Sequence, residues 1–92
     1  MTADGAAAAR VERIRALVQD RLHPERLEIR DDSAAHAGHA GAGSKGHFSL
    51  YIVARCFQGL APIEQHRLVH AALEPLFAAD IHALTLRTSA SD

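Results

Sequence analysis

Histidine is the residue type through which this sequence could do chemistry, because seven of its 92 residues are histidines and Cys56 is the only cysteine. A neutral imidazole binds a metal ion through one ring nitrogen while its other N–H is held by a neighbouring acceptor. His36 and His39 form a pair that could pick up zinc, although solvated loop histidines without a role are the simpler interpretation. For His82 the residues by themselves favour a structural histidine on an apolar strand.

The remaining histidines and Ser33 give weaker indications of a functional site. His66 and His70 have the i, i+4 spacing of helical metal ligands, but no glutamate follows His66, so the zinc-protease signature is absent. We interpret both as histidines packed on the apolar face of a helix, and we assign no role to His23 or His47. Ser33 follows two aspartates without a glycine-flanked elbow or triad spacing. We therefore predict that the chain is not an enzyme and has no small-molecule substrate.

The apolar pattern predicts one small α+β domain over residues 1–92, in the order helix, strand, strand, helix, short helix, strand. Spacing of three and four residues marks the helices, and alternation marks the strands. The predicted segments are helices at about 6–22 and 62–73, a short turn at 76–79, and strands at 27–31, 48–55 and 81–87. Residues 1–5 and 88–92 are predicted to be flexible ends.

Two features of this pattern bear on the histidines. Residues 32–46 contain four glycines and small side chains, so we predict a long hairpin loop between the first two strands, with His36 and His39 on it. A period of two places His82 on the same face as Leu84 and Leu86. In the second helix, the predicted apolar face consists of Ile63, His66, Val69, His70 and Leu73.

Charge and composition exclude some classes of function. The formal net charge is −1, so no overall basic field gathers nucleic acid at long range. A single cysteine permits no internal disulfide, which favours a reducing compartment, and we predict a cytoplasmic protein. No apolar run approaches the roughly 20 residues that span a bilayer, and the first residues do not resemble a signal peptide, so we expect no membrane association.

Three stretches in this order resemble the BolA family. They are Leu27-Glu-Ile-Arg-Asp-Asp-Ser33 running into His36-Ala-Gly-His39, then Phe57-x-Gly59 followed by His66-Arg-Leu-Val69, then Ile81-His-Ala-Leu84. The resemblance covers about residues 8–88. It implies a three-stranded sheet with helices on one face, similar to a type II KH fold. It also implies an adaptor that binds a monothiol glutaredoxin and a shared [2Fe–2S] cluster, in iron–sulfur maturation or iron and redox signalling.

The resemblance also implies which histidines bind the cluster. One ligand maps onto His82, and the other onto a histidine of the hairpin loop, with His36 the first choice and His39 the second. A [2Fe–2S] cluster generally takes four protein ligands, and this chain has too few thiols to hold one alone. We therefore expect that the isolated chain binds no cofactor, and that a glutaredoxin cysteine and glutathione supply the remaining thiolates. Family members with a cysteine ligand carry it in the hairpin loop, so Cys56 receives no ligand role.

A DNA-binding transcriptional regulator of stress response and morphology is the alternative function that the resemblance implies. Its candidate contacts to duplex DNA are Arg67, Lys45 and Arg55, and phosphate contacts would make binding strongly salt-dependent. The near-neutral charge weighs against this alternative. So does Gln65, which stands where the family often has an arginine.

Overall fold

Two helices and three strands form the domain, and they follow one another in the predicted order. This computed structural model describes residues 3–33 and 45–91, with side chains from Ala8 onward. The elements are α1 (Ala3–Leu22), β1 (Arg26–Asp31), β2 (Gly46–Val53), α2 (Pro62–Leu73) and β3 (Ile81–Ser89), with 3₁₀ turns at Arg55–Phe57 and Glu74–Leu76. The predicted α+β class with three strands is confirmed.

The ends of several elements differ from the prediction. α1 begins at Ala3, so residues 3–5 are helical rather than frayed. β2 begins at Gly46 and ends at Val53, two residues before the predicted bounds at each end. β3 continues to Ser89, which pairs with Val53, so the predicted loose end is wrong for residues 88 and 89. The predicted turn at 76–79 is confirmed, since residues 77–80 form a turn in which the Asp80 N–H donates to the Leu76 carbonyl at 2.8 Å. A 3₁₀ turn at Glu74–Leu76 precedes it, because a proline fits the first positions of such a turn.

Local chemistry explains where the two helices begin and end. α1 ends because His23 takes a left-handed φ of 48° and a proline follows it. Pro62 occupies the first turn of α2, where its missing N–H costs nothing. The Glu64 carboxylate accepts a hydrogen bond from the Ala61 N–H at 2.9 Å and so caps the same end. Gly59, just before the helix, has a φ of 77°, which glycine adopts without strain.

β2 is the central strand and carries the core face of the sheet. The strand order is β1-β2-β3, with β1 antiparallel and β3 parallel to β2. Phe48, Leu50 and Ile52 alternate along β2 and are each 2% exposed or less. They pack in one cluster with Ile14 and Val18 of α1 and with Val69 and Leu73 of α2. Both helices therefore cover one face of the sheet, as predicted.

The buried face of α2 differs from the predicted one. Its buried residues are Val69, Ala72 and Leu73. Ile63 is 60% exposed, and His70 is also exposed. Both lie to the side of the helix face that packs on the core, because that face is centred on the three buried residues. The His70 ring stacks on Phe77 at 5.3 Å between ring centres. His70 therefore packs on Phe77 but does not belong to the buried face of the helix as predicted, while His66 is half-buried.

The opposite face of the sheet carries polar and charged side chains. Tyr51 lies on this face of β2, directly across from Arg87 of β3. The guanidinium of Arg87 lies 5.1 Å from the Tyr51 ring centre, and that of Arg26 lies 5.5 Å from it. These cation–π contacts link all three strands across the exposed side of the sheet.

Candidate functional site

A β-bulge at the start of β3 decides where His82 lies. Gly46 of β2 pairs with Ile81, but the next residue, His47, pairs with Ala83, so His82 is the extra residue of the bulge. Such a residue is left out of the ladder, and its side chain is re-aimed. Ile81 is buried at 1% exposure, whereas His82 is exposed.

The predicted orientation of His82 is therefore wrong. The period of two placed it with Leu84 and Leu86, which pack against the core cluster beneath the helices. One inserted residue reverses which face of the sheet each preceding side chain of the strand points to. Ile81 fills the core position in its place, and the imidazole of His82 is left accessible to a ligand.

His47 lies beside His82. The two ring centres are 5.0 Å apart, and the ring planes are inclined at 54°. His47 is half-buried and His82 is exposed. Sequence reasoning missed His47 because it adjoins no motif. The signal that could have found it is its position near the start of β2, because His82 lies near the start of the parallel strand β3.

Hydrogen bonds fix the backbone on both sides of the histidine pair. The N–H of His47 donates to the Ser33 hydroxyl oxygen at 3.1 Å, and the N–H of Ser33 donates to the Asp31 carboxylate at 2.8 Å. Such bonds from an aspartate or serine side chain to nearby backbone N–H groups are typical of turns. The N–H of Gly46 donates to the Asp80 carbonyl at 2.9 Å. The starts of β2 and β3 are therefore held to each other and to the end of β1.

Asp80 also joins the start of β3 to α1. Its carboxylate accepts hydrogen bonds from Arg13 at 2.6 and 3.1 Å, and the Arg10 guanidinium lies 3.5 Å away. The hydrogen bond from Arg13 lowers the pKa of Asp80, although partial burial opposes the shift. Asp80 thus anchors the chain two residues before His82, while its carboxylate is already occupied by two cations.

At the starts of β2 and β3, the described residues place two imidazoles close together but do not complete a metal site. Within 3–33 and 45–91, no group of three or more His, Cys, Asp or Glu side chains is placed to hold a metal ion. The predicted ligands His36 and His39 lie outside the described residues. Two imidazole nitrogens fit part of the ligand set of a [2Fe–2S] cluster, since histidines replace cysteines on one iron in some such centres. They do not fit a cluster held by this part of the chain alone.

Cys56 lies near the other end of β2 from the histidines. It is exposed and does not belong to the core. Its Sγ donates to the Leu22 carbonyl at 3.8 Å, and desolvation raises the pKa of the thiol. A raised pKa leaves less thiolate at neutral pH, which agrees with giving Cys56 no ligand role.

Two of the three basic residues of the alternative DNA site lie at opposite ends of β2. Lys45 precedes β2 and Arg55 follows it, so at about 3.3 Å per residue they are roughly 30 Å apart. Arg55 pairs with Glu25 at 3.0 Å, and Arg67 is exposed on α2. DNA binding through these residues stays an untested prediction.

Comparison with known proteins identifies the class of domain. The sequence matches the family model described as BolA-like protein over residues 18–92. BolA-like protein 1 of Mus musculus is 44% identical over 87 residues, covering 94% of this chain and 62% of that protein. SufE-like protein 1, chloroplastic/mitochondrial, of Arabidopsis thaliana is 39% identical over 87 residues, covering 88% of this chain and 24% of that protein. The solved BolA domain of SufE1 from Arabidopsis thaliana has a TM-score of 0.77 and 38% identity, covering 87% of this chain and 90% of that domain.

The fold and the matches together define a small α+β domain of the BolA type. The chain belongs to the BolA family, whose members are generally not enzymes. It spans less than two thirds of the mouse relative. Of the helices in the described part, none is both long and apolar enough to cross a membrane. A cytoplasmic location stays a prediction, because the Arabidopsis relative is named as chloroplastic or mitochondrial.

Proposed function

We propose that this chain is a non-enzymatic adaptor that binds a monothiol glutaredoxin and shares a [2Fe–2S] cluster with it. Its role would lie in iron–sulfur maturation or in iron and redox signalling. The observation that carries the proposal is the exposed imidazole of His82, aimed outward by a bulge, in a member of the BolA family. The presence of a BolA domain in a SufE-like protein agrees with an iron–sulfur role.

The ligands would be divided between the two proteins. His82 supplies one imidazole nitrogen, and His36 or His39 of the hairpin loop supplies the second. When bound, the cluster supplies the redox-active iron, and imidazole ligands raise its potential relative to cysteine ligands. The glutaredoxin cysteine and glutathione supply the thiolates that this chain lacks.

The chain's own contribution is to present His82 at a fixed place on its surface. The backbone hydrogen bond between Gly46 and Asp80 holds the bulge, and the Arg13–Asp80 contact fixes the segment before it. Because His82 is exposed, a partner can reach its ring without opening the core. A ligand held in place before binding loses less conformational entropy when the complex forms.

Reconstitution of the complex tests the proposal. The full chain is mixed anaerobically with a monothiol glutaredoxin, iron, sulfide and glutathione, and the visible absorption and circular dichroism are compared with those of glutaredoxin alone. We expect a new spectrum that His82→Asn abolishes and that the control His70→Asn leaves intact. An unchanged spectrum, or one indifferent to His82→Asn, contradicts the proposal. His36→Asn and His39→Asn, tested separately, identify the loop ligand.

A further inference from the structure

The separation of the His47 and His82 ring centres matches that of two imidazoles bound to a single metal ion. Zn–N bonds of about 2.0–2.1 Å at a tetrahedral angle place two ring centres about 5 Å apart. The observed separation is 5.0 Å with the planes inclined at 54°.

Both histidines lie beside backbone that hydrogen bonds hold in place. His82 is exposed on the bulge, and His47 is half-buried. The N–H of His47 is held by the Ser33 hydroxyl oxygen, and the neighbouring Gly46 is held by the Asp80 carbonyl. Two ligands carried on adjacent anchored strands need little rearrangement to bind one ion.

The surroundings supply no third protein ligand from the described residues. No group of three potential ligands occurs in residues 3–33 and 45–91, and the carboxylate just before β3, that of Asp80, accepts hydrogen bonds from Arg13 and lies beside Arg10. Water would therefore fill the remaining positions around the ion. Imidazole nitrogen suits zinc, copper and nickel among divalent ions, and two protein ligands give weaker binding than the four of a structural zinc site.

We propose that His47 and His82 bind one divalent transition-metal ion of the zinc class in the isolated chain, without a glutaredoxin. This site differs from a shared cluster site because its ligands are His47 and His82 and because it needs no partner protein. One consequence rests on the proposed function: if His82 also binds the cluster, a zinc ion at this pair competes with cluster sharing.

Zinc titration of the full chain, without glutaredoxin, tests the site. Affinity is measured by competition with a chromophoric chelator, and Co²⁺ is substituted for zinc to report a tetrahedral site by its visible absorption. We expect one ion per chain, and His47→Asn and His82→Asn should each weaken binding at least about tenfold. His70→Asn, which replaces another exposed histidine, should leave the affinity unchanged.

A stability check and one further variant serve as controls. His47→Asn retains the backbone hydrogen bond to Ser33, so its fold should be intact, and thermal unfolding checks this. A double variant, His36→Asn with His39→Asn, should keep zinc affinity within about threefold. Full affinity in His47→Asn, or loss of binding only in the loop double variant, overturns the inference. Because no glutaredoxin is present, failure here leaves the cluster proposal standing, and failure of reconstitution leaves the zinc site standing.

Discussion

The two ends of the β2–β3 pair differ in their side chains and in the regularity of their strand pairing. At the end of the pair near Val53, the register is uninterrupted, and Tyr51 faces Arg87 directly across the strands. At the end near Gly46, one extra residue breaks the ladder, and two imidazoles meet there. Backbone hydrogen bonds hold both ends: the Ala54 N–H donates to the Ser89 carbonyl at the regular end, and the Gly46 N–H donates to the Asp80 carbonyl at the bulged end. The regular end adds the cation–π contact of Arg87 with Tyr51, whereas the bulged end adds the hydrogen bond from the His47 N–H to the Ser33 hydroxyl oxygen.

The difference shows what a bulge contributes to a binding site. A regular ladder repeats the same alternation along its length, so each side chain keeps the face that its position dictates. The bulge moves His82 out of that alternation while Ile81 stays in the core. The site can therefore differ from its neighbours in orientation without a gap in the packing beneath it. If this is correct, changes at the bulged end should have larger effects than changes at the regular end.

Gly46→Ala should have the largest effect on stability. A Cβ at this position would lie 2.7 Å from the buried ring of Phe48 and from the Ser33 hydroxyl oxygen. Forcing a methyl group into such a site typically costs about 1–3 kcal/mol, because the ring has little room to move. Urea unfolding at pH 7 measures the change. The neighbouring Lys45→Ala is the control and should stay within about 0.5 kcal/mol. Equal stability of Gly46→Ala and the native chain would contradict this account of the bulged end.

Asp80→Asn should lower the melting temperature at pH 7 by about 5 °C, since it removes the charge that Arg13 holds. The folded state lowers the pKa of Asp80, so the native chain gains stability above the ordinary carboxyl pKa and loses it as the pH falls through the lowered value. The uncharged variant has no such dependence at this residue. The difference between the two proteins should therefore shrink at low pH.

Thermal unfolding at pH 7 and at pH 3 measures both parts of this prediction. The control is Glu25→Gln, which breaks the Glu25–Arg55 pair, whose side chains are 46% and 83% exposed. That pair is screened by solvent, so its loss should change the melting temperature very little. A difference for Asp80→Asn that grew on acidification would show that the sign is wrong.

At the regular end, Arg87→Ala should cost only about 0.5 kcal/mol, the lower range for an exposed cation–π contact. A double-mutant cycle with Tyr51→Leu isolates the interaction from the loss of packing. Zinc affinity and the spectrum of the reconstituted complex should not change in either variant. A loss of zinc binding in Arg87→Ala would remove the distinction between the two ends.

Cys56→Ser should have the smallest effect, leaving the stability and the cluster spectrum unchanged. The thiol has a raised pKa, so iodoacetamide should alkylate it more slowly in the folded chain than in the unfolded chain at neutral pH. Mass spectrometry of timed samples measures the two rates. Faster alkylation of the folded chain would reveal an activated thiol.

Local pattern was sufficient for most of the architecture. The alternation of Phe48, Leu50 and Ile52 predicted the core face of β2, and Pro62 predicted where α2 begins. These predictions succeeded because each depends on residues that are close in the chain. The motifs that resemble the BolA family are also short stretches of sequence. They indicated His82 as a candidate cluster ligand, although they carry no information about which residues lie beside it.

Tertiary structure alone decided the arrangement around that histidine. The bulge depends on how β3 aligns with β2, and that alignment follows from burying Ile81 beneath α1 and α2 rather than from the alternation within β3. The approach of His47 to His82 and the Arg13–Asp80 contact likewise join segments that are far apart in sequence. Pairing register and helix rotation are set by the packing of all elements at once, so no single stretch of sequence encodes them.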